Sequence, residues 1–389
     1  MPSIKQLLLA AMVASMAAAA CDEDVTIESD GDVSQLASCS KLTGKVTLGK
    51  KVTSVALPAT LTSITGDVVA DGAANLVAFQ APGLRTIGGS FTLKGLIVLS
   101  NLAFPELVSV GDINWATLPA LQNLGFTKEV SKANSVLITD TLLNTLQGIN
   151  LKTAERFNIN NNRYLRSVDV ALTQVSDLLL IESNGKGVNA SFPDLKWANN
   201  ITVRDAGDIY FPKLQKVNSS AAFVNNTFSA ADFPELTSVG ESFALISCSK
   251  LEKITANSLE TVGGTFQLAN NTKLTTVDGF GALRVVGGAI DLSGTFKEVL
   301  LPKLDDVRGG FNLQSTDDVN CGNFTSLKSA GVVKGDDFTC EGKKERAESK
   351  TAGLGTDGSG SGDDTSGAVR VGASFATALL AGAVAMFVL

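Results

Sequence analysis

Acidic side chains are the first candidates for chemistry in this sequence. Neighbouring carboxylates stand at Asp305/Asp306, Asp317/Asp318, Asp336/Asp337 and Asp363/Asp364, and an acidic run at Asp22, Glu23 and Asp24. Two carboxylates facing one glycosidic bond can act as acid and base or acid and nucleophile. Several acids together can hold a divalent cation. Sequence neighbours on a strand point to opposite faces, so these pairs are poor acid–base partners. The run at Asp22 reads as a solvated cap. The 389-residue chain contains no histidine, which removes His-based triads, His metal sites and histidine pH switching. The Val-Gly-Gly runs precede neither a helix nor a Lys-Ser/Thr pair, so they are not phosphate cradles. No catalytic, cofactor-binding or metal-binding constellation emerges.

What would position any site is a repeat. From Phe233 to Leu313 four lines share one pattern: Leu236, Val239, Phe243, Leu245; Leu259, Val262, Phe266, Leu268; Leu283, Val286, Ile290, Leu292; and Leu304, Val307, Phe311, Leu313. The leading leucines lie 259−236=23, 283−259=24 and 304−283=21 residues apart. A period in the low twenties marks a solenoid. The last two apolar positions of each line alternate, which predicts a short strand with one buried face. Gly263, Gly264, Gly287, Gly288, Gly309 and Gly310 let the chain turn into that strand. Phe91, Phe243, Phe266 and Phe311 share one position and are expected to stack as an internal column. The same pattern is visible at Leu84–Leu93, Leu107–Trp115, Leu195–Val203 and Leu214–Phe223. Between about Thr127 and Leu180 the period blurs, which leaves room for a division into two lobes.

Aligning the coils sets Thr92, Ala244, Gln267, Asp291 and Asn312 between the two inward strand positions. This outward row suits hydrogen bonding to a glycan or protein, or is a solvated strand face. A second column falls three residues after the strand, at Asn162, Asn226, Cys248 and Asn271. It resembles the Asn/Cys position of the leucine-rich repeat, where a buried side chain satisfies backbone groups at a turn. Cys248 is therefore expected to be a buried structural thiol. Cys21 with Cys39 and Cys321 with Cys340 bracket the repeats, which suggests two end caps, each stapled by a local disulfide worth roughly 3 kcal/mol on the chain-entropy account.

Both ends of the chain carry targeting signals. Lys5, the apolar run Leu7–Met16 and the small residues Ala18 and Ala20 make a secretory signal peptide over residues 1–20. A first transmembrane helix, and a bacterial lipoprotein signal with Cys21 directly after its small residues, are the alternatives. A Gly/Ser/Asp spacer leads into an apolar tail from about Val371 to Leu389. Small residues, polar spacer and terminal apolar tail form a GPI-attachment signal, with a tail-anchored span as the alternative. Gly360 is the expected attachment residue, with Ser359 and Ser361 as alternatives. The divisions are thus residues 1–20 signal peptide, 21–45 N-terminal cap, 46–318 solenoid, 319–342 C-terminal cap, 343–360 flexible stalk and 361–389 GPI propeptide. N-x-S/T sequons stand at Asn189, Asn200, Asn218, Asn225, Asn270 and Asn323, five of the six in the second half. The net charge of −7 argues against a nucleic-acid partner.

Taken together, the "FPEL-x-SVG" and "LETVGG-x-F-x-L" coils, the "FNINNNRYL" ladder, the terminal cysteines and the spacer with its apolar tail resemble the fungal GPI-anchored cell-wall organisation proteins. Their repeat region is similar to the receptor L-domain. The resemblance implies a mainly β protein, a right-handed β-solenoid of leucine-rich-like repeats with disulfide-stapled caps. It implies a non-enzymatic surface glycoprotein, held to the membrane by a GPI lipid and needed for cell-wall organisation, with no cofactor and no catalytic residues to carry over. Wall glucan and other surface glycoproteins are the candidate partners, and the site is the outer face of the plasma membrane or the wall. A glycan- or protein-binding receptor module is the second expectation, and a wall-polysaccharide hydrolase or transglycosylase on a β-helix the third.

Overall fold

Each repeat is too short to bury its apolar residues alone, so the coils bury them against one another. A computed structural model describes residues 21–351 and shows this arrangement as a parallel β-solenoid of about 13 turns. The signal peptide, Ser359, Gly360, Ser361 and the propeptide lie outside the described residues. Residues up to Ser349 belong to one compact unit, and a second begins at Lys350.

Register is set by the inward residues. One column runs Ile27, Leu48, Ala70, Leu93, Trp115, Ile138, Ile159, Ile181, Val203, Phe223, Leu245, Leu268, Leu292, Leu313 and Cys340, each paired in parallel with the next. A shift of one residue would turn this whole column outward, so burial fixes the pairing. The stacking is continuous through the middle of the chain: Ser135–Thr141, Thr153–Asn160 and Gln174–Glu182 pair in sequence. Shorter strands close the other side of the coils, as in Ser54–Ala56 with Ala78–Gln80 and Ser167–Asp169 with Val188–Ser191.

The phenylalanine column is interrupted. Phe243 and Phe266 stack at 6.0 Å and Phe311 stacks on Phe338 at 5.3 Å, but Ile290 separates the two pairs. Phe91 packs instead against Phe79, Phe104 and Trp115. Much of the aromatic filling therefore comes from the turn side, where Phe104, Phe211, Phe233 and Phe280 meet strand residues edge-on or tilted. Each such side chain, fully buried, contributes roughly 1.5–3 kcal/mol.

The corner glycines serve close approach rather than an unusual dihedral. A Cβ on Gly263 would sit 1.9 Å from the carbonyl oxygen of Gly240 in the preceding coil. The Gly263 amide donates to the Val239 carbonyl at 2.8 Å. The backbones touch there because no side chain keeps them apart.

Cys21 is bonded to Cys39 and Cys321 to Cys340. At the first end the short helix Asp30–Gln35 covers the opening, and Asp32 accepts from the Ser29 amide at 2.9 Å. At the other end the helix Gly322–Ser329 buries Phe324 against Phe311 at 4.9 Å.

Candidate functional site: two faces of one sheet

The strand is followed by a tight corner. Asp140, Asn161, Ser183, Asp205, Asn225, Ser247 and Asn270 all take left-handed backbone, with φ between +52° and +60°. Short polar side chains tolerate that region best among non-glycine residues. The next residue then turns inward. Asn162, Asn226, Cys248 and Asn271 are fully buried in this column.

Their bonds explain the residue types. Asn271 donates to the Leu245 carbonyl at 2.9 Å and accepts from the Cys248 amide at 2.8 Å. Asn226 donates to the Val203 carbonyl at 3.0 Å and accepts from the Ala206 amide at 2.8 Å. Asn162 donates to the Ile138 carbonyl at 3.0 Å and accepts from the Thr141 amide at 3.2 Å and hydroxyl at 2.6 Å. An amide side chain offers both a donor and an acceptor, so one residue satisfies two backbone groups of the preceding coil. Cys248 donates weakly to the Phe223 carbonyl at 3.5 Å, and burial pushes its thiol up to about 11. Two members of the column escape a search for asparagine after aromatic strands. Thr141 follows Ile138 and Asn184 follows Ile181 at the same three-residue spacing, which is the signal that finds them. Asn184 donates to the Ile159 carbonyl at 2.8 Å.

The outward row is not uniform. In the early coils Thr92, Leu137, Asn158 and Leu180 are half-buried. Beyond them the row disappears from solvent: Ala244, Gln267, Asp291 and Asn312 are at most 3% exposed. This corrects the reading of the row as a free strand face. On the last coils the residues above it are Glu348 and Ser349. Asn312 donates to the Glu348 carbonyl at 2.9 Å, and Gln267 donates to the Ser349 hydroxyl at 3.0 Å.

Two of the four neighbouring carboxylate pairs are spent in ion pairs, and Asp363/Asp364 lies outside the described residues. Asp305 meets Arg284, and Asp306 meets both Arg308 and Lys334. The hydrogen bonds from Lys334 and Arg308 hold the Asp306 carboxyl below its ordinary value. Asp317 faces Lys297 and Asp318 faces Lys343. Near the N-terminus Asp22 accepts from the Thr43 hydroxyl and Asp24 from the Lys45 amide at 2.8 Å. Among the described residues no group of three or more acids or cysteines is placed to hold a metal.

Five sequon asparagines, Asn189, Asn218, Asn225, Asn270 and Asn323, are exposed. Asn225 and Asn270 occupy the left-handed corner. Asn200 is half-buried on the sheet, and its side-chain oxygen accepts from the Ser220 amide at 3.2 Å.

These features define a capped parallel β-solenoid whose polar ladder is structural and whose strand face is half-exposed in the early coils and covered in the last. Relatives specify the class further. The chain is 36% identical to a cell surface GPI-anchored protein of Arthroderma benhamiae, over 99% of this chain and 97% of that one. It is 35% identical to protein ecm33 of Aspergillus fumigatus, over 86% and 84%, and 32% identical to cell wall protein ecm33 of Schizosaccharomyces pombe, over 86% and 80%. No protein-family model matches the chain, and no solved structure does. The chain belongs to the fungal GPI-anchored cell-surface and cell-wall proteins. Membership puts it at the outer face of the plasma membrane or in the wall.

Proposed function

We propose that the protein is a non-enzymatic surface glycoprotein required for the organisation and integrity of the fungal wall. The observation that carries this reading is that the carboxylates of Asp291, Asp305 and Asp306 are engaged by neighbouring side chains. Asp305 and Asp306 lie in ion pairs, and Asp291 is bound by Gln267 and Asn312. A hydrolase needs two carboxylates set across one bond. The aligned row from Thr92 to Asn312 holds one, Asp291.

The test is deletion in the source organism, scored for sensitivity to wall-binding dyes. Rescue is attempted with the full chain and with a secreted form ending before Gly360. Sensitivity rescued only by the anchored form supports the reading. Rescue by the soluble form turns it toward an enzyme or a diffusible binder, and the absence of any wall phenotype overturns it.

A second reading, a glycan- or protein-binding module, is favoured by the early strand face. There Thr139 donates to Asn160, and Asn160 donates to Asn158 at 2.7 Å, presenting linked side chains at a half-exposed surface. Wall glucan or another surface glycoprotein is the partner this face would take. The lipid is attached at Gly360 in this proposal, and sugars at the five exposed sequons. Mass spectrometry of peptides before and after deglycosylation is expected to show occupancy at Asn225 and Asn270 and none at Asn200.

A further inference from the structure

The buried outward row of the last coils is bonded to a returning segment of the same chain. Asn312 donates to the Glu348 carbonyl at 2.9 Å, and the Glu348 amide donates to the Gln314 side-chain oxygen at 3.1 Å. Two amide side chains thus read both main-chain groups of one residue. The Ser349 hydroxyl donates to Asp291 and accepts from Gln267 at 3.0 Å. The row is also bonded within itself. Asp291 accepts from Gln267 at 3.2 Å and from Asn312 at 2.8 Å, and Gln314 donates to Asn312 at 3.0 Å. Asp291, Gln267, Asn312 and Gln314 are all at most 3% exposed. Burying four such groups is costly unless each is bonded.

The segment reaches the row in steps. The Lys343 amide donates to the Asp317 carbonyl at 2.9 Å and the Lys344 amide to the Ser315 carbonyl at 3.0 Å. Glu348 then lies at Asn312 and Gln314, and Ser349 at Asp291 and Gln267, one and two coils further back. The chain therefore leaves its C-terminal cap and returns along the strand face against the direction of stacking.

We propose that Gln267, Asp291, Asn312 and Gln314 form a binding site for an extended peptide, and that its resident ligand is this chain's own anchor-proximal segment. The site is a latch. It returns residues 343–349 from the capped end along the sheet face, where Ser349 reaches Gln267 two coils back. Residues 343–349 then belong to the folded body. The ligand is a peptide rather than a sugar because the site pairs the amide and carbonyl of one residue and adds a hydroxyl contact beside them. The inference stands independently of the wall-organisation reading, because it is tested on the purified protein.

Basic residues supply the probe. Lys343, Lys344, Arg346 and Lys350 put trypsin sites on and beside the latch. The lipid-anchored protein is purified from membranes and cut with dilute trypsin, and cleavage at these four sites is followed by mass spectrometry. When opening is fast relative to cutting, the rate reports the open population, so the double variant Asn312→Ala/Gln314→Ala is expected to be cut about tenfold faster than the natural chain. Its solenoid should still melt cooperatively, only slightly below a control, Thr92→Ala/Asn158→Ala, whose cleavage rate is unchanged. Should the double variant fail to fold, Ser349→Val removes the hydroxyl contacts from the segment side and should speed cleavage in the same direction. Equal rates in the natural chain and in a folded latch variant overturn the proposal. Acceleration of natural-chain cleavage by soluble wall glucan would also overturn it, by showing that the row is a carbohydrate site.

Discussion

The early and late coils carry the same strand on opposite terms. In both, the inward column is apolar and fully buried, as at Leu93 and Leu268. They differ at the corner and on the outside. After Ala70, Leu93 and Trp115 the corner column holds Ala73, Leu96 and Leu118, which add to the core. After Ile159, Phe223, Leu245 and Leu268 it holds Asn162, Asn226, Cys248 and Asn271, which bond to backbone. Outside, Thr92 and Asn158 remain half-exposed, whereas Asp291 and Asn312 are buried under the returning chain. The difference teaches that place in the repeat decides which residues face inward, while the fate of an outward residue depends on which distant segment lies over it.

Replacing a ladder side chain should give the largest effect. Asn271→Ala leaves the Leu245 carbonyl and the Cys248 amide unpaired inside the solenoid. Each orphaned group costs about 1–3 kcal/mol, so a loss of about 3 kcal/mol is expected in chemical denaturation. Leu96→Ala in the early coils should cost a similar amount, about 2–5 kcal/mol, through a cavity instead. A near-neutral Asn271→Ala would erase the distinction between the two kinds of corner.

A smaller effect separates the outward faces. Asp291→Ala is expected to lower the unfolding free energy by about 1 kcal/mol, because the freed groups can be rehydrated once the segment lifts. Asn158→Ala in the early coils should stay within about 0.5 kcal/mol of the natural chain. Equal losses at both positions would mean that the late row is no more engaged than the early one.

The smallest effect is one of pH and sharpens the same contrast at the C-terminal end. Asp306 has its carboxyl lowered, first by the Lys334 hydrogen bond and then by that of Arg308. A carboxyl whose value is lower in the folded state than in the unfolded state adds stability above its unfolded value, and that stability is lost as pH falls through its folded value. Asp306→Asn should therefore lower the melting temperature slightly at neutral pH and leave it unchanged at acid pH below the folded value. Thermal scans across that range check the sign.

Much of this was legible because a solenoid repeats its constraints locally. The leucine spacing and the alternation at Phe266 and Leu268 define a strand whose register burial enforces coil after coil. The three-residue step to Asn271 recurs in the later coils, at Asn162, Asn226 and Cys248, where the corner leaves backbone groups that a polar side chain bonds. The corner glycines were visible too, although their reason differs: Gly263 is needed because Gly240 approaches it, which no single coil discloses.

What the sequence determined by itself is the set of properties that one coil contains: the strand, the corner, the polar ladder and, through them, the family. The tertiary structure decided what depends on contacts between distant segments. Ile290 interrupting the phenylalanine stack follows from which coils are neighbours. Asn312 meeting Glu348, 36 residues later in the chain, follows from the path the chain takes after its last disulfide. Local periodicity carries no information about that path, because the bonds that fix it are made between residues the repeat does not relate.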